Sequence, residues 1–139
     1  MARSKPIGTS FLFVNNRSEI LLVLRDDIPQ IRYPNMWDIP GGTAGENETP
    51  EECITREIEE ELGLVLTGPV LFEKREFQDR VEFTFWQRAD FDVEHIRLTE
   101  GQRLAWFSEK EAKRTHLAFD FNITIDSFFT KAPFRKQLT

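Results

Sequence analysis

The sequence has a single cysteine, Cys53, among 139 residues, so no disulfide can close within the chain and a reducing, cytoplasmic setting is expected. Long hydrophobic runs are also missing. The longest unbroken apolar stretch is Ile20–Leu24, far short of the roughly 20 residues that cross a bilayer, so no membrane partner is expected. Arg3 and Lys5 are followed by Gly8, Thr9 and Ser10, which makes a poor secretory signal and a better first strand over 7–14. Positive charge is scarce, with 18 Lys and Arg against 24 Asp and Glu and a net charge of −6. The one basic cluster, Lys131, Arg135 and Lys136, reads as a solvated tail, so a grip on a nucleic-acid polymer is not expected. A small polyanionic substrate would then need bound cations to screen it. The two histidines, His95 and His116, are isolated, which argues against a histidine metal centre. No phosphate-cradling GxxxxGK[ST] loop and no nucleophile elbow occur.

What is present is ordinary globular composition, 40% hydrophobic and 30% charged, with 13 Phe and 3 Trp to fill a core. The length fits one domain over 1–139, with its core at about 7–130. Runs rich in β-formers predict strands over 9–14 and 19–25, joined by Asn15-Asn16-Arg17-Ser18. A proline-bearing loop over 26–35 leads to a short strand at 37–39 and then the turn Pro40-Gly41-Gly42. Strands follow over 71–77 and 80–91, turning at Gln78-Asp79. In the second, Val81, Phe83 and Phe85 alternate with Glu82, Thr84 and Trp86, which predicts one buried face. A last strand at 104–107, a short helix capped by Ser108 and a helix over 122–129 complete the chain. That last helix is expected to pack Ile123, Ile125 and Phe128-Phe129 on the core. Strands and helices in this order imply an α/β fold, a mixed sheet flanked by helices.

The segment 49–62 carries helix signals at both ends. Thr49 is the expected N-cap, Pro50 the first helical residue, Glu52 the capping-box partner and Gly63 the stop. Ile54, Ile58 and Leu62 form the apolar stripe. Residues 51–61 hold six carboxylates and one base, Arg56. Glu57, Glu60 and Glu61 share a sector beside the stripe, while Glu52, Arg56 and Glu59 face solvent. Carboxylates in the last turn oppose the helix dipole, at a cost of about 0.3–1 kcal/mol each. A hard divalent cation turns that mutual repulsion into shared attraction. The bland alternative is a solvated acidic face.

These carboxylates belong to a longer pattern. Gly42 is followed by Glu48, then Arg56-Glu57, then Glu60-Glu61, Gly63 and Leu64. This spacing resembles the 23-residue signature of the Nudix hydrolases at every fixed position. Leu71-Phe72-Glu73-Lys74, Asp79-Arg80, Trp86, Glu100-Gly101-Gln102 and Trp106 are similar to the MutT-type branch of that family.

The resemblance implies a Nudix fold and metal-dependent hydrolysis of a pyrophosphate bond in a nucleotide. Glu57, Glu60 and Glu61 match the metal-binding positions, with the Gly42 carbonyl often joining them. Glu48 and Arg56 match a brace between loop and helix, closed by Gly63. Glu57, Glu60 and Glu100 are the residues expected to carry catalysis, Glu100 as a further ligand or the general base; its alternative is an exposed loop acid. All-oxygen ligands favour Mg²⁺ or Mn²⁺. Candidate substrate contacts are Arg25 and Arg80 for phosphate, Trp37 for base stacking, and Asp120 and Asn122 for a purine edge. Each has a structural alternative, and core packing is the stronger reading for Trp37. The proline of ADP-ribose hydrolases, the tyrosine of diadenosine-polyphosphate hydrolases and the coenzyme A motif are absent. Nucleoside triphosphates are then the leading substrate class that the resemblance implies, partly by elimination, giving a nucleoside monophosphate and pyrophosphate. Other nucleoside diphosphate-linked compounds, such as nucleotide sugars, and a non-catalytic binding module stay open, as does the oligomeric state.

Overall fold

The computed structural model describes residues 4–135; Arg3 and Lys136 lie outside them. Strand β1 (Ile7–Val14) is the centre of a seven-stranded mixed sheet. It runs parallel to β6 (Val81–Arg88) along its whole length, in the register Ile7↔Val81 to Val14↔Arg88. β6 in turn pairs antiparallel with β5 (Val70–Glu76), the two joined by a turn in which the Phe77 N–H donates to the Arg80 carbonyl at 2.8 Å. On the other side of β1, β2 (Ile20–Leu24) pairs only at Val14↔Ile20. β2 is also paired with β7 (Arg103–Phe107).

Between β1 and β2 the sheet splays, and the segment 37–43 fills the opening. It begins as β3 (Trp37–Asp38) on β2 and ends as β4 (Gly41–Thr43) on β1. The expected strand at 37–39 is therefore present, but the predicted turn at 40–42 continues into a strand. Gly41 sits at φ 156°, and a Cβ there would overlap the backbone of Thr9 on β1, so the close approach of the two strands requires glycine.

Alternation along the central strands sends side chains to two cores. Phe11, Phe13, Leu21 and Phe85 face α1 (Pro50–Leu62) and pack with Ile54, Ile58 and Leu62. Leu12, Val14, Ile20 and Leu22 face α2 (Glu109–Arg114) and α3 (Phe121–Lys131), where they meet Ala112, Phe121, Ile125, Phe128 and Phe129. The result is a sheet held between helices, the Nudix architecture expected from the sequence.

Two expectations need correction. Ile123 is 48% exposed, because the buried stripe of α3 runs through Phe121, Thr124, Ile125, Phe128 and Phe129 instead. β6 does not have one buried face: Glu82 and Thr84 are as buried as Phe85, since helices cover both sides of the sheet. No helix among the described residues is long and apolar enough to cross a membrane.

Candidate active site

Helix α1 starts and stops as its sequence dictates. Thr49 Oγ1 accepts from the Glu52 N–H, the Glu52 carboxylate accepts from the Thr49 N–H, and Gly63 ends the helix in the left-handed conformation at φ 71°. Its last turn contains no base. Burial of Ile54, Ile58 and Leu62 contributes about 1.5–3 kcal/mol each, which outweighs the dipole penalty of about 0.3–1 kcal/mol for each carboxylate in the last turn. Packing holds the helix and leaves its acids free for other work.

Arg56 organises those acids. Its guanidinium donates to both oxygens of Glu48, at 2.7 and 3.0 Å, and through Nη1 to Glu57 Oε1 at 2.9 Å and Glu60 Oε2 at 3.2 Å. Glu48 also accepts from the Gly45 N–H at 2.9 Å, so one ion pair ties the loop before α1 to its middle turn. The Arg56 guanidinium pulls the Glu48 carboxyl down to about 2. Glu52, four residues before Arg56, is committed to the cap, and the folded-back loop presents Glu48 to Arg56 instead.

Glu57 lies against the Gly42 backbone so closely that a Cβ at Gly42 would overlap its carboxylate. The Gly42 carbonyl accepts from Thr9 Oγ1 at 3.0 Å, and Cys53, fully buried, lies 3.2 Å from that same hydroxyl as a packed thiol. Glu61 is half-buried, and burial, followed by the charge of the neighbouring Glu57, pushes its carboxyl up to about 8. Asp38 and Glu100 add smaller contributions of the same sign. Glu100 reaches this place because Thr99 Oγ1 and N–H donate to the carbonyls of Glu60 and Glu61, at 3.0 and 3.3 Å, pinning its loop to the end of α1.

Two adjoining clefts open beside this ridge, each of roughly 300 Å³ (about 280 and 290 Å³), sharing Arg25, Asp38, Ile39 and Gly41. The second contains Glu61, Glu100 and Asp26, and the first Arg32, Arg80, Glu82, Phe119 and Phe121. Arg25 stands between them, its Nη1 donating to Asp38 Oδ2 at 3.1 Å. Arg80 donates to Glu82 Oε1 at 2.6 Å and to the Phe119 carbonyl at 2.8 Å. Burial raises Asp38 to about 6 against the opposing pull of Arg25, and it also raises Glu82.

Among the described residues no three His, Cys, Asp or Glu side chains close around a common point by themselves. Arg56 ties Glu57 and Glu60 together, Glu61 lies beside Glu57, and Glu60 is largely exposed. The donors nonetheless suit Mg²⁺, which takes one or two carboxylates, keeps several waters and shares substrate phosphates rather than entering an all-protein cage. Glu57, Glu61 and the Gly42 carbonyl, all oxygen, fit that pattern.

Of the predicted substrate residues, Arg25 and Arg80 line the clefts. Trp37 does not: it packs edge-on to Phe107 with centroids 4.8 Å apart. Asp120 and Asn122 also miss both clefts. The Asn122 amide is spent bridging the Leu117 N–H and the Thr115 carbonyl, while Asp120 is exposed on the outer side. Phe119 and Phe121 occupy the position expected for them. Asp38, Glu82 and Arg32 also went unanticipated. For Glu82 a signal existed, since Arg80 and Glu82 stand two apart on a strand and so share a face.

A model of the NUDIX domain matches residues 5–127. The chain belongs to the Nudix family. It is 33% identical over 97 residues to an 8-oxo-dGTP diphosphatase of Escherichia coli (strain K12), covering 68% of this chain and 73% of that one. It is 29% identical over 117 residues to a CTP pyrophosphohydrolase of the same strain, covering 82% and 84%. The chain spans half the length (50%) of a Bacillus subtilis (strain 168) relative to which it is 35% identical over 81 residues. In fold it matches a MutT protein of Methanosarcina mazei Go1 with a TM-score of 0.75 at 23% identity, over 96% of this chain and 99% of that one.

Proposed function

We propose that this Nudix protein hydrolyses the pyrophosphate link of a nucleoside triphosphate, releasing a nucleoside monophosphate and pyrophosphate, with Mg²⁺ or Mn²⁺ as cofactor. The observation that carries the reading is the acidic edge of α1 opening onto paired clefts that share one arginine, Arg25. A nucleotide suits that division, with its phosphates toward Glu61 and its base in the cleft under Phe119. Relatives named for 8-oxo-dGTP and for CTP support the triphosphate class while differing in base.

Glu57, Glu61 and the Gly42 carbonyl would hold the cation, with Glu60 beside them. Bound there, it supplies charge neutralisation of the phosphate oxygens and a more acidic water. The chain itself does the rest. Arg25 orients a phosphate from the border of the two clefts. Arg56 fixes the rotamers of Glu57 and Glu60, and through Glu48 it fixes the loop that carries Gly42. Glu100 would accept the proton of the attacking water, a role supported by its sharing the second cleft with Glu61. A single packed thiol fits a cytoplasmic setting.

The test is a screen of nucleoside triphosphates and nucleotide sugars with Mg²⁺, scored separately for pyrophosphate, orthophosphate and sugar phosphate. Pyrophosphate release from a triphosphate is the expected result. Turnover confined to nucleotide sugars would move the substrate class and keep the chemistry, and no turnover on any of them would overturn the reading.

A further inference from the structure

Glu100 is an exposed glutamate in the irregular segment 96–102, so no helix or strand of its own fixes it. Its neighbours do that work. Thr99 pins one side of the segment to the end of α1. On the other side Gly101 lies against the end of β2, at φ 93°. A Cβ there would meet Val23 Cγ2 at 2.8 Å and the Leu24 carbonyl at 3.1 Å, so the close approach requires glycine. The Gly101 N–H donates to Asp26 Oδ2 at 3.3 Å, and the Gln102 N–H to the Leu24 carbonyl at 2.8 Å.

The Gln102 side chain reaches further. Its Nε2 donates to the Arg25 carbonyl and to Asn35 Oδ1, both at 2.8 Å, which uses both N–H groups of the amide. The first partner belongs to the arginine shared by the two clefts. The second closes the 26–35 loop, because the Asn35 N–H donates to the Asp26 carbonyl at 3.0 Å. Asn35 does so in left-handed backbone at φ 58°, which asparagine tolerates better than most residues. That loop lines both clefts, with Asp26, Ile28 and Ile31 in the second and Arg32 in the first. One amide thus connects the segment carrying Glu100 to the arginine and the loop beside it. The β2–β7 ladder, from Ile20↔Phe107 to Leu24↔Arg103, is held by backbone pairing, so the sheet itself does not need this side chain. Gln102 lines neither cleft, which leaves it no direct contact with a ligand there.

We propose that Gln102 is a positioning residue, whose amide sets where the Glu100 carboxylate stands relative to Arg25. The proposal rests on the role of Glu100 as the base. Without the amide, Arg25 keeps its own bonds to Asp38 and to the Arg32 carbonyl, so phosphate binding is preserved. The Glu100 segment keeps its backbone bonds but loses its hold on Arg25 and on the 26–35 loop. Proton transfer requires hydrogen-bond reach, and a displacement of about 1 Å can cost a hundredfold in rate. The loss therefore falls on kcat and spares KM.

The experiment uses Gln102→Met, which keeps the length of the side chain and removes both donors. With Mg²⁺, kcat and KM for dGTP and CTP are measured in the wild type, Gln102→Met, Glu100→Gln and the double variant, each with a thermal melt. In Gln102→Met, kcat is expected to fall roughly tenfold to a hundredfold, with KM and the melt nearly unchanged. In the Glu100→Gln background the same substitution is expected to cost nothing further, because the residue it acts through is gone. An unchanged kcat in Gln102→Met, a loss that multiplies with that of Glu100→Gln, or a collapsed melt overturns the proposal and leaves the hydrolase reading standing. Full kcat in Glu100→Gln removes Glu100 as the base, and the role of Gln102 falls with it. Should neither triphosphate turn over, the hydrolase reading fails and trypsin cleavage at Arg32, in the tied loop, decides. Faster cleavage in Gln102→Met than in the wild type supports the tie, and equal cleavage overturns it.

Discussion

Glu61→Gln tests whether the acidic ridge stores charge for a cation, and its effect follows from where Glu61 sits. The native carboxyl is raised from 4.5 to about 8, first by burial and then by Glu57. A carboxyl whose folded pKa is raised contributes stability that is fully present below its unfolded pKa and lost as pH rises through the folded one. For Glu61 that window runs from 4.5 to about 8. At 1.36 kcal/mol per unit, the loss across the window is on the order of 3–5 kcal/mol. Thermal melts in chelator, followed from pH 5 to pH 9, should show the wild type losing stability toward alkaline pH. Glu61→Gln carries no ionisable group there, so it should lose less and be the more stable protein at pH 9. A domain of this size shifts by roughly 3–5 °C per kcal/mol, so the difference should exceed several degrees. Initial rates with Mg²⁺ should move the other way, falling by orders of magnitude, because a neutral amide is a weaker cation ligand than a carboxylate. Parallel pH profiles for the two proteins would refute the placement of Glu61. Equal rates would refute its role as a ligand.

Exhaustive chelation should abolish turnover and added Mg²⁺ should restore it; rates unchanged in chelator would contradict the cation requirement. Glu60→Gln should cut the rate by orders of magnitude, whereas Glu59→Gln, exposed and outside the Arg56 network, should leave it nearly unchanged; equal losses would mean that α1 is not the metal platform. Gly42→Ala should leave the fold intact but displace the Glu57 carboxylate, so its melt should change by only a few degrees while its rate collapses; full activity would show that Glu57 does not need that contact. Arg56→Ala should lower both the melting temperature and kcat, since it frees the Glu48 loop and releases Glu57 and Glu60 together. An undisturbed melt with no activity would argue against the brace.

The site was legible where its chemistry is local in sequence. Thr49, Pro50, Glu52 and Gly63 act within one turn of their own positions, so the limits of α1 could be read directly, and the 3.6-residue period then sorted its acids from its stripe. Legibility failed where a partner arrives from elsewhere in the chain. The Gly-Gly-Thr of β4 has no strand preference of its own and becomes a strand because β1 offers unpaired backbone. The Glu48–Arg56 pair came only from the resemblance, because helical spacing alone offers Glu52, which a capping box claims, while a loop eight residues back supplies Glu48.

Glu82 is the most instructive of these cases. Period-two alternation divides β6 correctly into two faces, but it cannot say that both are covered, and a glutamate opposite phenylalanines reads as the wet side. Only the α3 layer, with Phe119 and Phe121 folded over that face, turns Glu82 from a solvated acid into a buried one. Burial changes what the residue does. In water a glutamate at this position would be one of 24 acids. Under a cleft, with one oxygen fixed by Arg80, it is part of a packed polar wall and no longer a solvated charge. The acidic ridge is therefore written in a contiguous helix, while the lining of the cleft beside it depends on how distant segments meet. A single substitution on β6 can change that lining and leave the ridge untouched, because no residue of β6 belongs to α1.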